Sequence, residues 1–177
     1  PSWPSSTPKT RSPRRVAWGG GGHTGGSAAR AHRVTAVDRD PVATAGLDAV
    51  AEVVLADLEG GPWPLGARRF DAIVVTNYLW RPLAPVLVER LAPGGVLLWE
   101  TFADGQAALG RPSNPDFLLR DGELLDIARG LQVVAFEHGR LDDPPRVVQR
   151  IAARRVDAGT PAARLAAPNS PAAPAGG

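Results

Sequence analysis

Residues 70–100 read FDAIVVTNYLWRPLAPVLVERLAPGGVLLWE. The apolar runs Ile73–Val75 and Val96–Trp99 lack polar alternation, which is typical of strands buried on both faces of a parallel sheet. Between them, leucines and valines over 83–91 recur at three- and four-residue steps, which predicts a helix packed on that sheet. Pro93–Gly95 ends the helix and turns the chain into the second strand. The stretch therefore predicts a βαβ unit.

Apolar runs alternate with helical segments along the rest of the chain. Strands are predicted at residues 33–37, 52–55, 131–137 and 147–153, and helices at 41–50 and 121–130. Asp40 is predicted to cap the first of these helices, with Pro41 at its first position. Pro144 and Pro145 predict a hairpin-like loop, so the last two strands should be antiparallel neighbours. The pattern predicts an α/β fold with a doubly wound, Rossmann-like, mostly parallel sheet and an antiparallel last strand.

Composition narrows the class of protein. The chain has 177 residues, which predicts one domain, and its net charge of +2 gives no indication of nucleic acid binding. It has no cysteine, which excludes disulfides, zinc thiolates and a cysteine nucleophile. The three histidines, His23, His32 and His138, are spaced in a way that suggests no metal site. There is no apolar run long enough to span a membrane and no visible signal peptide, so we expect a cytoplasmic enzyme.

The two ends of the chain differ from its middle. Residues 1–15 are rich in proline, serine and basic side chains, and residues 157–177 are mostly alanine, proline and glycine. Both segments are expected to be disordered because they offer little apolar surface to bury. The folded domain is therefore expected at residues 16–156. Because the sequence begins at Pro1 without a methionine, we expect a fragment or a processed form.

A glycine run follows Trp18 and indicates a nucleotide site. A glycine-rich turn between a first strand and a first helix lets the backbone approach a nucleotide closely, although such runs are also typical of flexible loops. Asp38 follows Gly19 by 19 residues, at the end of the next predicted strand. An acid at this spacing can accept hydrogen bonds from ribose hydroxyls. A turn role for Asp38 is the alternative, and the spacing alone suits both nicotinamide and S-adenosylmethionine (SAM) enzymes.

Several segments, in order, resemble the successive motifs of class I SAM-dependent methyltransferases. They are residues 32–38, 56–59, 70–75 and 91–95, which read HRVTAVD, ADLE, FDAIVV and LAPGG. The chain is most similar to the small bacterial group of tellurite-resistance-type methyltransferases, which residues 110–115 and 117–119 also resemble. The resemblance implies a class I methyltransferase fold over roughly residues 16–153.

The resemblance also implies how SAM would be held. Gly19 and Gly21 would line the methionine part of the cofactor, and Asp38 would hold the ribose hydroxyls. Asp57, with the backbone at Leu58, would face the adenine ring, where a carboxylate can accept from the exocyclic amine. The alternative for Asp57 is a turn role before the glycines that follow it.

Residues beyond the two strands of the βαβ unit are the candidates for contact with the methyl acceptor. In parallel sheets ligands bind past the carboxyl ends of the strands. Asn77 and Tyr78 would border the methyl group, and with Glu100 they are the nearest candidates for orienting an acceptor. No residue is identified as catalytic. The predicted function is methyl transfer from SAM to an unknown, small-molecule acceptor, and the oligomeric state is left open.

Two other functions compete with this one. An NAD(P)-dependent oxidoreductase is disfavoured because Lys9 is the only lysine, so there is no Tyr-x-x-x-Lys pair. A non-catalytic or defective methyltransferase-like protein is favoured by Arg15, which stands four positions before Gly19, where the family has an acidic residue. Pro13 also removes a donor from a strand expected to be central. A reading-frame slip upstream of Arg33 is one hypothesis for this mismatch, and translating the genomic DNA in all frames would test it.

Overall fold

Seven strands of the described residues form one sheet. The computed structural model describes residues 14–18 and 33–156, and of residues 14–18 it describes the backbone. The strands are β1 Arg14–Trp18, β2 Arg33–Asp38, β3 Glu52–Leu55, β4 Phe70–Thr76, β5 Leu91–Phe102, β6 Gln132–Asp142 and β7 Pro145–Arg154. Their order in the sheet is β3-β2-β1-β4-β5-β7-β6.

The strand directions match the prediction. Neighbouring strands from β3 through β5 are parallel, and β7 runs antiparallel between β5 and β6. The doubly wound, mostly parallel sheet with an antiparallel last strand is therefore confirmed, as is the antiparallel pairing of the last two strands. From β1 the chain adds β2 and β3 towards one edge of the sheet, and from β4 it adds the remaining strands towards the other edge. The carboxyl ends of β1 and β4 thus form the point where such sheets bind ligands.

Two short α-helices lie within the described ranges, α1 at Ala84–Arg90 and α2 at Glu123–Ile127. Helix α1 connects β4 to β5, which confirms the predicted βαβ unit. Helix α2 is shorter than predicted because Gly122 before it adopts φ 68° and the chain turns again after Ile127. Three single turns of 3₁₀ helix occupy Arg81–Leu83, Gln106–Ala108 and Pro115–Phe117. Among the described residues, none of the helices combines the length and the apolar character that a membrane-spanning helix requires.

The helix predicted over residues 41–50 is wrong, because the structure has successive turns there. Asp40 Oδ1 accepts the Val42 N–H at 2.8 Å, and the Thr44 hydroxyl donates to the Pro41 carbonyl at 3.2 Å. Such local side-chain bonds compete with the helical hydrogen-bond ladder. Gly46 then adopts φ 82°, which a continuous helix does not allow. Asp40 and Pro41 therefore start a turn instead of a helix.

The core lies on the face of the sheet that carries α1 and α2. Alternate side chains of the central strands point to this face and are at most 4% exposed, namely Ile73, Val75, Leu97, Trp99 and Ile151. Leu87 of α1 and Leu124 of α2 pack with them and are fully buried. Burial of each large apolar side chain contributes about 1.5–3 kcal/mol. This packing holds β4 and β5 rigidly and so positions the residues that follow them.

Candidate functional site

The carboxyl ends of the central strands meet at one edge of the sheet. The register pairs Trp18, the last residue of β1, with Val37 of β2 and Val75 of β4. Asp38 at the end of β2 and Asn77 after β4 therefore flank the end of β1 on either side. Two strand spacings separate β2 from β4, or about 10 Å. The sequence-predicted residues of this edge are thus brought together by the topology.

Two carboxylates lie at this edge, each partly engaged in a local turn. Asp38 is half-buried, and its Oδ1 accepts the Asp40 N–H at 3.0 Å. Asp57 is exposed two residues beyond β3, and its Oδ1 accepts the Glu59 N–H at 2.9 Å. Leu58, which lies between Asp57 and Glu59, is buried in the core and anchors this segment. Each acid therefore has the turn role that was considered as its alternative. In each carboxylate the hydrogen bond of the turn uses Oδ1.

Asn77 bends the chain sharply as β4 ends. It is the one non-glycine residue with a positive φ, 52°, in the part of the chain that the structure describes. Asparagine adopts this left-handed conformation more readily than most residues. The Asn77 N–H donates to the Glu100 carbonyl at 2.9 Å, which fixes the bend against β5. The bend determines where the next residue, Tyr78, lies.

Tyr78 lies within electrostatic range of carboxylates at the ends of β2 and β3. Its carbonyl accepts the Trp99 indole N–H at 3.1 Å. Burial, together with nearby carboxylates, raises the pKa of Tyr78 to about 12. The carboxylates belong to Glu59, Asp57 and Asp38. The phenol is therefore neutral at physiological pH and acts as a hydrogen-bonding group, because a base would need the ionised form.

Glu100 belongs to an ion network along β5, β7 and β6. Arg146 and Arg150 each place a guanidinium nitrogen 3.7 Å from one of its carboxylate oxygens. Arg150 also pairs with Glu137. The sequence placed Glu100 among the candidates for orienting an acceptor, but the structure ties it to two cations. The two arginines were not predicted, because cross-strand partners depend on the register of β5 with β7.

A second ionic cluster joins the segment after β4 to the loop after β5. Arg81 Nε and Nη2 donate to the Glu123 carboxylate at 2.6 and 2.9 Å. Its Nη1 and Nη2 also donate to the carbonyls of Asp116 and Leu118, at 2.7 and 2.8 Å. Burial raises the pKa of Glu123, but hydrogen bonds from Arg81 and Arg120 outweigh burial and hold that pKa at about 2. The sequence carried no signal for this pair, whose members are 42 residues apart.

The loop that contains Ser113 and Asn114 is tied into the fold. The Asn114 side chain accepts the Asp116 N–H at 3.0 Å and caps the 3₁₀ turn Pro115–Phe117. The buried Gln106 side chain bonds both the Val147 N–H and the Arg111 carbonyl, at 2.8 and 3.1 Å. These contacts favour a fixed connection for this loop over the mobile substrate lid that its length and prolines would also allow.

Some predicted residues lie where the structure gives no test. Gly19 and Gly21 fall outside the described residues. Arg15 is in β1, where its backbone is in register with Val34 of β2 and Ala72 of β4, three residues before the strand ends. Its side chain is not described, so its alignment with the family's acidic position stays a prediction.

Of the three histidines, the structure describes His138. His138 Nδ1 lies 3.0 Å from an Asp121 carboxylate oxygen. His23 and His32 lie outside the described ranges. Within those ranges, histidines and acids form no group of three that could hold a metal ion.

Comparison with known proteins adds solved structures of the same fold. No protein-family model matches the sequence, and no curated protein matches it. The N-methyltransferase NodS from Bradyrhizobium japonicum WM9 superposes with a TM-score of 0.60 at 19% identity, covering 82% of this chain and 86% of NodS. TehB from Haemophilus influenzae gives 0.64 at 17% identity, covering 82% of this chain and 58% of TehB.

A third neighbour is a SAM-dependent methyltransferase from Methanosarcina mazei. It gives a TM-score of 0.59 at 14% identity and covers 82% of this chain and 93% of its own. A further structure of NodS is a complex with S-adenosyl-L-homocysteine (SAH). The chain therefore has the fold of class I SAM-dependent methyltransferases, as the sequence motifs predicted, and TehB is among its neighbours.

Proposed function

We propose that this protein binds SAM at the carboxyl edge of its sheet and transfers the methyl group to a small-molecule acceptor. The observation that carries the proposal is the position of two carboxylates in a class I methyltransferase fold. Asp38 ends β2, the strand beside β1, and Asp57 follows β3, the next strand out, so both lie at the carboxyl edge on one side of β1. The complex of NodS with SAH supports an adenosyl ligand for this fold.

The residues present fit the adenosyl part of SAM. Ribose hydroxyls and the exocyclic amine of adenine are donors, and carboxylate oxygens accept from both. Asp38 would hold the ribose, and Asp57 with the Leu58 backbone would face the adenine. Gly19 and Gly21 would line the methionine part, as the family resemblance implies. When bound, SAM supplies an electrophilic methyl group on a sulfonium.

The two ionisable candidates that the sequence offers for orienting an acceptor, Tyr78 and Glu100, bear on the kind of acceptor. Tyr78 is protonated at neutral pH, and Glu100 is paired with two arginines. Among the described residues, these two candidates therefore offer no ready base to deprotonate a hydroxyl. We expect an acceptor that is already nucleophilic, such as an amine or a thiolate. Its alignment with the methyl carbon can then supply much of the rate.

Calorimetric titration with SAM, SAH and NAD tests the proposal on the full chain. We expect SAM and SAH to bind and NAD not to bind. The variant Asp38→Asn can still accept the Asp40 N–H but loses its charge, whereas Asp38→Ala loses both. Each should weaken SAM by about ten- to a hundred-fold, since a hydrogen bond to a charged group is worth about 1.5–3 kcal/mol.

A matched control separates the site from general effects of charge. Asp142→Ala removes an exposed acid on the β6–β7 hairpin and should leave SAM affinity unchanged. Equal SAM affinity in Asp38→Ala and wild type would remove Asp38 from the site. If the wild-type protein binds neither SAM nor SAH, the proposed function is wrong, and a defective methyltransferase-like protein, which Arg15 favours, takes its place.

A further inference from the structure

The hydroxyl of Tyr78 is a buried polar group without a visible partner. Its oxygen is inaccessible to solvent and finds no hydrogen-bond partner within the part of the chain that the structure describes. Buried hydroxyls in folded proteins nearly always have a partner, because leaving one unpaired costs free energy. An unpaired hydroxyl beside a ligand edge is therefore a candidate contact for the ligand itself.

The surroundings of this hydroxyl are those of the cofactor edge. The bend at Asn77 carries Tyr78 beyond the end of β4, and the Trp99 indole holds its carbonyl in place. Asp38 and Asp57 belong to β2 and the segment after β3, on the other side of β1. Their carboxylates act electrostatically on the phenol. Tyr78 thus lies at the same edge of the sheet as the residues that would hold ribose and adenine, within electrostatic range of their carboxylates.

We infer that the Tyr78 hydroxyl is a ligand of the adenosyl part of SAM, and that it does not orient the methyl acceptor. This assignment rests on the proposed function and deepens it. The carboxylates of Asp38 and Asp57 are acceptors only, whereas adenine ring nitrogens and ribose oxygens also need donors. A neutral phenol supplies that missing donor. Its pKa of about 12 keeps it protonated across the physiological range.

The test is Tyr78→Phe, which keeps the ring and removes only the hydroxyl. Wild type and variant are titrated calorimetrically with SAM, SAH and adenosine. Since SAH and adenosine lack the transferable methyl group, a contact to the adenosyl part should weaken all three ligands alike, by about two- to ten-fold. The melting temperature should not fall, because the hydroxyl has no partner to lose among the described residues.

A spectroscopic measurement gives an independent readout, because Tyr78 is the only tyrosine in the chain. At pH 11, tyrosinate absorption should report about one-tenth ionisation in the folded protein, against about nine-tenths for a tyrosine of ordinary pKa. Saturating SAH should reduce tyrosinate further, because a hydroxyl that donates to the ligand holds its proton more tightly.

The outcomes distinguish this inference from the proposed function. If wild-type protein binds none of the three ligands, the proposed function fails and the assignment of Tyr78 fails with it. If wild type binds them and Tyr78→Phe binds them equally well, or if SAH leaves the tyrosinate signal unchanged, the assignment alone is overturned. If Tyr78→Phe binds SAM more weakly but binds SAH and adenosine as wild type does, Tyr78 lies at the methyl group, and the assignment to the adenosyl part is overturned.

Discussion

The strongest effect of a single charge on stability is expected at Glu123. Its side chain is 9% exposed and accepts hydrogen bonds from the Arg81 guanidinium and from the Arg120 N–H. Glu123→Gln keeps the size of the side chain and removes its charge. Arg81 then faces a neutral amide, which has one acceptor oxygen in place of two charged ones, and keeps its bonds to two backbone carbonyls. We expect the variant to fold, but with a smaller free energy of unfolding.

The magnitude follows from the pKa of Glu123, which falls from 4.5 to about 2 on folding. At about 1.4 kcal/mol per pH unit, this difference corresponds to about 3 kcal/mol of stability. Because the folded-state pKa is the lower one, this contribution is fully present above pH 4.5. It is lost as the pH falls from there towards 2. At pH 3 less than half of it, or about 1.5 kcal/mol, should remain.

Urea unfolding followed by tryptophan fluorescence at pH 7, 5 and 3 checks this expectation. The free energy of unfolding of Glu123→Gln should be lower than that of wild type by about 3 kcal/mol at pH 7 and by about half that at pH 3. Glu89→Gln is the matched control. Glu89 is exposed and 3.6 Å from Arg90, so its loss should cost less than about 0.5 kcal/mol at either pH. A difference below about 1 kcal/mol at pH 7 would refute the reasoning, and so would a difference at pH 3 as large as the one at pH 7.

Two further predictions concern the ends of the chain. Arg15→Asp should tighten SAM binding at least about ten-fold, because it replaces a cation with an acceptor for the methionine ammonium of SAM. Calorimetry measures both affinities, and equal values would show that Arg15 does not align with the family's acidic position. Deleting residues 157–177 should leave the melting temperature unchanged because they offer little to bury, and a drop of several degrees would show that they dock on the fold.

The βαβ unit was predictable because several local signals agree there. The apolar run of β4, the three- and four-residue spacing of α1 and the apolar run of β5 each indicate one element of the unit. The boundary itself differs from the prediction, because α1 ends at Arg90 and β5 begins at Leu91, so Pro93–Gly95 lie within the start of that strand. At residues 41–50 the signals conflict. An acid followed by proline indicates a helix start, but the same short polar side chains also bond their own backbone. Without a packed apolar face to favour the helix, the turns prevail.

The candidate site was predictable where it depends on strand ends and not where it depends on long-range contacts. Asp38 and Asn77 could be placed because parallel strands deliver their carboxyl ends to one edge. The direction of Tyr78 could not be predicted, since it follows from one left-handed residue, Asn77. The partners of Arg81 and Glu100 could not be predicted either, since they depend on the register of segments 42 or more residues apart. Periodicity within one segment carries no such information.

The fold and the cofactor site depend on β1 in different ways. Its backbone pairs in register with β2 and β4 along Arg14–Trp18, although this part of the sequence departs from the family pattern. Backbone hydrogen bonds of a central strand require little of the side chains, and β1 pairs with both of its neighbours over the described residues Arg14–Trp18. Under the proposed function, cofactor affinity would depend instead on the side chains and glycines around the end of that strand. A sheet can therefore form from a first strand whose side chains do not suit the proposed site. SAM affinity, and not stability, is accordingly the property that tests the proposed site.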